Sequence, residues 1–210
     1  MNPDTVYLVD ENDEQRRAFA LTLSELFEDT GLTLKPIAPL PTPEDYAPLL
    51  ASGTVAALIL DQKLEDGGVA YSGTELSSYL RGIVPKLPIF ILSNYTDNRA
   101  LFEQGEADVE YIIPKKAITD PTSREAQIFK SRFLRRLNVF VDVLGERAKR
   151  YHELLVKSLR EELTPDEGKE LGLLDIERIL PHQAEEIGDV RRLEAAIAEL
   201  RQRINRDRTS

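Results

Sequence analysis

The chain has 210 residues, of which 41% are hydrophobic and 30% charged, enough for one large domain or an ordinary domain with an appendage. Its 27 Lys and Arg stand against 37 Asp and Glu, and a formal net charge of −10 argues against a chain built to neutralise nucleic-acid phosphates. The absence of cysteine excludes disulfides, thiolate metal sites and cysteine nucleophiles.

Taken in chain order, Thr5 to Val9 is a short β-branched, apolar run ending in acids. Residues 14–27 follow with Phe19, Leu23, Leu26 and Phe27 on one helical face. A strand is expected over 32–38, at a sheet edge because of Pro36. A short helix is expected over 42–50, with Pro43 in its first turn. Val55 to Leu60 is apolar throughout, as in a strand covered on both faces. Helix 73–83, strand 88–92, helix 97–106 and strand 109–113 complete the alternation. Five strands alternating with helices predict an α/β fold with a doubly wound, five-stranded parallel sheet and right-handed crossovers. Ligands of such sheets lie outside the carboxyl ends of the strands.

The texture changes near residue 122. Residues 1–122 carry 20 acidic and 9 basic side chains, whereas residues 123–210 carry 17 and 18. Only Pro165 and Pro181 of the 12 prolines lie in the second part. The expected division is therefore 1–122, the α/β unit, and 123–210, an all-α region for output or dimerisation.

The strand ends carry the chemistry. Asp10 and Glu11 follow the first strand, Asp61 the third, Ser93 the fourth, and Pro114-Lys115-Lys116 the fifth. Three carboxylates converging on one edge repel unless a cation lies among them, and oxygen-only ligands suit Mg²⁺. A lysine and a hydroxyl across from the central acid suit a phosphoryl group bonded to it. Such transfer needs little beyond positioning and charge neutralisation, and an Asp carboxylate is a competent acceptor. Asp10 and Glu11 alone would read as surface acids. Asp61, following six apolar residues, is harder to dismiss, because a buried unpaired carboxylate is costly.

Leu8-Val9-Asp10-Glu11-Asn12-Asp13-Glu14-Gln15-Arg16-Arg17 resembles the opening of a response-regulator receiver domain. Leu58-Ile59-Leu60-Asp61 resembles that family's phosphoacceptor strand, Pro88 to Ser93 its strand ending in a hydroxyl, and Tyr111-Ile-Ile-Pro-Lys115 the strand ending in its lysine. The resemblance covers roughly residues 4–120. It implies the flavodoxin-like receiver fold, with Asp61 accepting a phosphoryl group from a sensor histidine kinase. It further implies Mg²⁺ held by Asp10, Glu11, Asp61 and the Lys63 carbonyl, and phosphoryl oxygens held by Ser93 and Lys115. Three departures stand out. The segment between Asp61 and Gly73 is longer and richer in glycine than usual. Asn94 replaces a small residue. Ile112 occupies the position of the expected aromatic switch, with Tyr111 one place away. Lys115 is preferred over Lys116 because Pro114 ends the strand.

The second part reads as helices. Asp120-Pro121-Thr-Ser-Arg-Glu125 is expected to contain a helix start, with Pro121 suited to the first turn. Phe133, Leu137, Phe140, Leu144, Ala148, Tyr151, Leu155 and Leu159 then mark one stripe over a continuous helix of about 40 residues, roughly 60 Å long. Thr164-Pro165-Asp166-Glu167 opens a short helix to about Ile179 that Pro181 is expected to break. Ile187, Val190, Leu193, Ile197, Leu200 and Ile204 approach heptad spacing. The expectation is a helical hairpin or coiled coil pairing within the chain, with a second copy as a homodimer, or with a partner. Lys130, Arg132, Arg135 and Arg136 read as a solvated helix face rather than a DNA contact. His152 reads as a surface residue, and His182 as a loop residue beside Pro181.

The longest apolar run, Val55 to Leu60, falls far short of the roughly 20 residues that cross a bilayer. No basic-then-apolar leader follows Met-Asn-Pro-Asp. The expectation is a cytoplasmic response-regulator-like protein, with no membrane and no DNA among its partners, and no enzyme activity beyond accepting the phosphoryl group. Two alternatives remain at this level. One is a pseudo-receiver scaffold that works without phosphate. The other is a phosphatase or phosphotransferase with Asp61 as nucleophile, weakened because Lys63, not a carboxylate, stands two residues on.

Overall fold

In the computed structural model, described over residues 3–94 and 111–208, five parallel strands form one sheet in the order β2-β1-β3-β4-β5. They are β1 (Thr5–Val9), β2 (Thr33–Ile37), β3 (Val55–Asp61), β4 (Ile89–Ser93) and β5 (Tyr111–Pro114). Every residue of β1, β3 and β4 is buried, which is why these segments are apolar without alternation. β2 is the edge strand, where Pro36 costs no ladder bond on its open side. The order is that of the doubly wound, flavodoxin-like sheet, and its switch point lies between β1 and β3. The doubly wound, five-stranded parallel sheet expected from the sequence is therefore present.

Helix α1 (Asp13–Leu26) starts at Asn12, whose side chain accepts the Gln15 N–H at 3.0 Å. It buries Phe19, Leu23 and Leu26 against one face of the sheet. The helix expected over 42–50 divides into a 3-10 turn, Pro43–Tyr46, and α2, Ala47–Ala51. Pro48 has no N–H to return to Glu44, so the α ladder begins only there. α3 (Gly73–Ile83) opens on a capping box between Ser72 and Glu75. Right-handed crossovers put α2 and α3 on the face opposite α1. The helix expected over 97–106 lies outside the described residues, as do residues 109 and 110 of the last expected strand.

α4 (Arg124–Leu159) is one uninterrupted 36-residue helix. Its start lies within the expected segment 120–125, but Pro121 is not in its first turn. Asp120 turns its carboxylate onto the Thr122 N–H at 2.8 Å, so Pro121 belongs to a turn and Ser123 caps the helix. Ala126, Phe129, Phe133, Leu137 and Phe140 on α4 belong to the same buried cluster as the sheet. The Phe133 ring lies 4.7 Å from that of Phe27 and 4.9 Å from that of Phe90. Lys130, read as part of a solvated face, pairs with Asp29 at 2.6 Å on the same side, while Arg132 and Arg135 are exposed.

α5 (Pro165–Arg208) begins with the expected Thr164–Glu167 capping box. Lys157–Glu167, Arg150–Glu170 and Arg147–Glu177 pair in opposite chain directions, so α4 and α5 form an antiparallel hairpin. The expected break at Pro181 is absent: the helix runs through it, and His182 is helical rather than in a loop. An interior proline costs a ladder bond and about 3 kcal/mol. Here Glu177, one turn before, is held by Arg147 at 2.8 Å, and Ala184, one turn after, packs on the core. α5 then runs along α2, α3 and the Pro43–Tyr46 turn. Among the described residues no helix is long and apolar enough to cross a membrane.

Because the root of α4 is part of the sheet core, Phe133→Ala should lower unfolding free energy by about 3–5 kcal/mol in chemical denaturation. Leu159→Ser, at a side chain that is 79% exposed, should change it by no more than about 0.5 kcal/mol.

Candidate functional site

Strand register builds the site. Val9 pairs with Leu60, so Asp10 and Asp61 stand level at the ends of neighbouring strands on the carboxyl edge. Asp61 pairs with Leu92, which puts Ser93 one residue further along β4, opposite Pro114 of β5. Lys115 is the next residue. Asp10, Asp61, Ser93 and Lys115 are all buried, and Glu11 is half-buried. Lys115 is 6% exposed at this edge, whereas Lys116 faces solvent.

The Lys115 ammonium donates to Asp61 Oδ1 at 2.9 Å, to Asp10 Oδ2 at 3.1 Å and to Gln15 Oε1 at 2.7 Å. It also lies 5.7 Å from the centre of the Phe19 ring. Asp10 accepts the Asn12 N–H at 2.9 Å, and its own carbonyl accepts from Arg16 at 2.7 Å, which anchors the start of α1 to the site. One carboxylate oxygen each from Asp10, Glu11 and Asp61 can lie within 4.8 Å of the others. The sequence thus brought together Asp10, Glu11, Asp61 and Lys115, with Ser93 on the adjoining strand end. It missed Gln15, whose signal was its place one turn before Phe19 on the α1 face turned to Asp10.

The loop after Asp61 is built, not open. Leu64 is fully buried in a 3-10 turn, Leu64–Gly67. Tyr71 donates to the Leu40 carbonyl and lies 3.2 Å from the Tyr46 hydroxyl. Two glycines let the loop sit on the acids. A Cβ on Gly67 would come within 2.6 Å of Glu11 Cβ, and one on Gly73 within 2.2 Å of the Asp61 carbonyl oxygen. These two positions pack the loop closely against Glu11 and the Asp61 backbone. Asn94 is exposed at the rim of this edge.

Electrostatics give the cluster a preference for a divalent cation. Three carboxylates against one ammonium leave two negative charges if all are ionised. Burial first, then the hydrogen bond and charge of Asp61, push the Glu11 carboxyl up to about 7. Burial also raises Asp10, against the opposing pull of Lys115. Burial lowers Lys115, but the Asp61 and Asp10 carboxylates together outweigh it and hold the ammonium above the ordinary lysine value. Glu11 Oε2 is buried without a hydrogen-bond partner. An orphaned carboxylate oxygen beside two further acids fits a hard cation such as Mg²⁺, with Asp10, Glu11 and Asp61 as its ligands.

No protein-family model and no curated protein matches the chain. Among solved structures, a LuxR-family DNA-binding response regulator from Staphylococcus aureus superposes with a TM-score of 0.45 at 15% identity, over 64% of this chain and 98% of that one. The signal receiver domain of a two-component response regulator from Bacteroides fragilis gives 0.43 at 13%, over 63% and 95%. The Francisella novicida lysine decarboxylase LdcF gives 0.45 at 14%, over 67% of this chain but only 18% of its own. The fold assignment rests on the sheet order and strand register, not on these neighbours.

In a chelator, the Glu11 carboxyl stabilises the fold fully below its ordinary 4.5, and that contribution is lost as pH rises through about 7. Thermal unfolding should show this decline in wild type, and a smaller one in Glu11→Gln. Added Mg²⁺ should raise the wild-type Tm most on the alkaline side of 7, where it no longer competes with the Glu11 proton. Lys115→Met strips the buried acids of their counter-charge, so its loss in denaturant titrations should reach about 3–5 kcal/mol at neutral pH.

Proposed function

We propose that this chain is a phosphorylation-dependent signalling protein in which Asp61 accepts a phosphoryl group from the phosphohistidine of a sensor histidine kinase. The observation that supports this reading is the gathering of three carboxylates within 4.8 Å, with the Lys115 ammonium bonded to two of them. A phosphoacceptor needs a carboxylate nucleophile, a cation to offset phosphoryl charge, and fixed donors for the phosphoryl oxygens. Asp61, the Asp10–Glu11–Asp61 cluster, and Lys115 with Ser93 are the side chains suited to these parts.

In the proposed transfer an Asp61 carboxylate oxygen attacks phosphorus in line. The new P–O bond forms as the P–N bond to imidazole breaks, and the freed nitrogen takes up a proton from water. Asp10, Glu11 and Asp61 would hold Mg²⁺, which would supply charge neutralisation for the phosphoryl oxygens. Lys115 leaves Asp61 Oδ1 for one phosphoryl oxygen, and the Ser93 hydroxyl donates to another. Lys63 stands two residues after Asp61, where a turnover enzyme would place a general acid, so the phosphorylated state persists long enough to act as a signal. The output in this reading is protein–protein contact through α4 and α5, without DNA.

Incubation with acetyl phosphate and Mg²⁺, followed by intact-mass measurement, tests the proposal. One phosphoryl adduct is expected on wild type and none on Asp61→Asn. A wild type that takes up no adduct, although Mg²⁺ raises its Tm, would mean a phosphate-independent scaffold. Continuous consumption of the donor over many turnovers would mean an enzyme.

A further inference from the structure

The pole opposite Asp61 carries a second concavity. Strand β3 runs from Val55 to Asp61, so its two ends are about 20 Å apart at roughly 3.3 Å per residue. At the Val55 end a cleft of about 460 Å³ opens between the sheet and the helical hairpin. Leu50, Val55 and Leu87 form its floor, Phe140 and Leu144 the α4 wall, and Leu174 and Pro181 the α5 wall. We infer that this cleft is a binding site for a neutral, largely apolar small molecule, separate from the phosphoacceptor site.

Size decides against a macromolecular occupant. An α-helix about 10 Å across would place barely one turn in 460 Å³, whereas small-molecule sites span roughly 300–1,000 Å³. Charge argues against an ionic one, because Arg147, Glu177, Tyr151 and Arg178 around the mouth are engaged with one another or with Asp175, while His182 also lines the cleft. Arg147 pairs with Glu177 at 2.8 Å, and Tyr151 donates to Asp175 at 3.2 Å. Arg178 lies 3.5 Å from Asp175 and 4.7 Å from the centre of the Tyr151 ring. A charged ligand would have to break these pairs, whereas a neutral one gains burial against the aliphatic walls. Because the floor comes from α2, the start of β3 and the residue run before β4, and the walls from α4 and α5, an occupant touches both parts and stabilises the docked hairpin by mass action.

The probe is N-phenylnaphthylamine, a neutral apolar fluorophore, titrated into the full-length chain. A saturable, equimolar rise in fluorescence and a higher Tm are expected. Ala148→Phe and Leu174→Trp, which fill the cleft from opposite walls, should each weaken binding roughly tenfold while leaving the circular dichroism unchanged. If one of these variants fails to fold, the other decides. Ile176→Asp, on the exposed side of α5, should bind as wild type does. The inference is overturned by non-saturable binding, by filled variants that bind normally, or by loss of binding in Ile176→Asp, which would put the dye on the outer helix face. Tighter binding of the sulfonated analogue would overturn the neutral class.

Discussion

A single ammonium, that of Lys115, holds the carboxyl edge of this sheet together. It rises from the end of β5 and reaches back over β4 to carboxylates on β3 and after β1, elements that are not its neighbours in the sheet. Exposed pairs such as Arg17–Asp13 contribute at most about 1 kcal/mol and are screened by salt. Lys115 and its partners are shielded from water, so the same Coulomb attraction is larger and the cost of leaving any one of them alone is larger still. The arrangement is stable only while its charges are balanced. Glu11, whose carboxyl is pushed up to about 7, is where a proton can take up the imbalance.

The strand-end acids were legible because each follows an apolar run that has to be a covered strand. Burial of Val55 to Leu60 fixes the direction of β3, and direction fixes which end Asp61 occupies. The parallel alternation then puts Asp10, Ser93 and Lys115 at the same edge without any knowledge of contacts. Gln15 was not legible, since a glutamine in the first turn of a helix carries no signal apart from the face it shares with Phe19. The glycines after Asp61 were legible as a departure but not their reason: at Gly67 and at Gly73, the first residue of α3, the acidic site leaves no room for a Cβ.

The helical half shows a different limit of local reasoning. A proline in a helix is a strong stop signal within a window of a few residues. At Pro181 tertiary contacts on both sides outweigh the lost bond, and no window that short contains Arg147 or the sheet core. Likewise, Pro121 looked suited to the first turn of α4, but the Asp120 carboxylate is spent on Thr122 and the helix starts only after Ser123. The α4 stripe, by contrast, was read correctly as continuous, although its first turns turned out to face the sheet rather than a second helix.

α4 departs from the α1 face of the sheet, and α5 returns to the face of α2 and α3, so the hairpin straddles the sheet instead of hanging from it. A straddling hairpin behaves as a lever with two feet. About 28 Å of helix separates Phe140, where the α4 root ends, from the turn after Leu159, at 1.5 Å per residue. A tilt of about 5° at the root therefore carries the turn through roughly 2 Å. The foot on α2 converts that swing into shear along the opposite face, so sub-ångström repacking beneath Phe133 can be felt on both sides of the sheet at once.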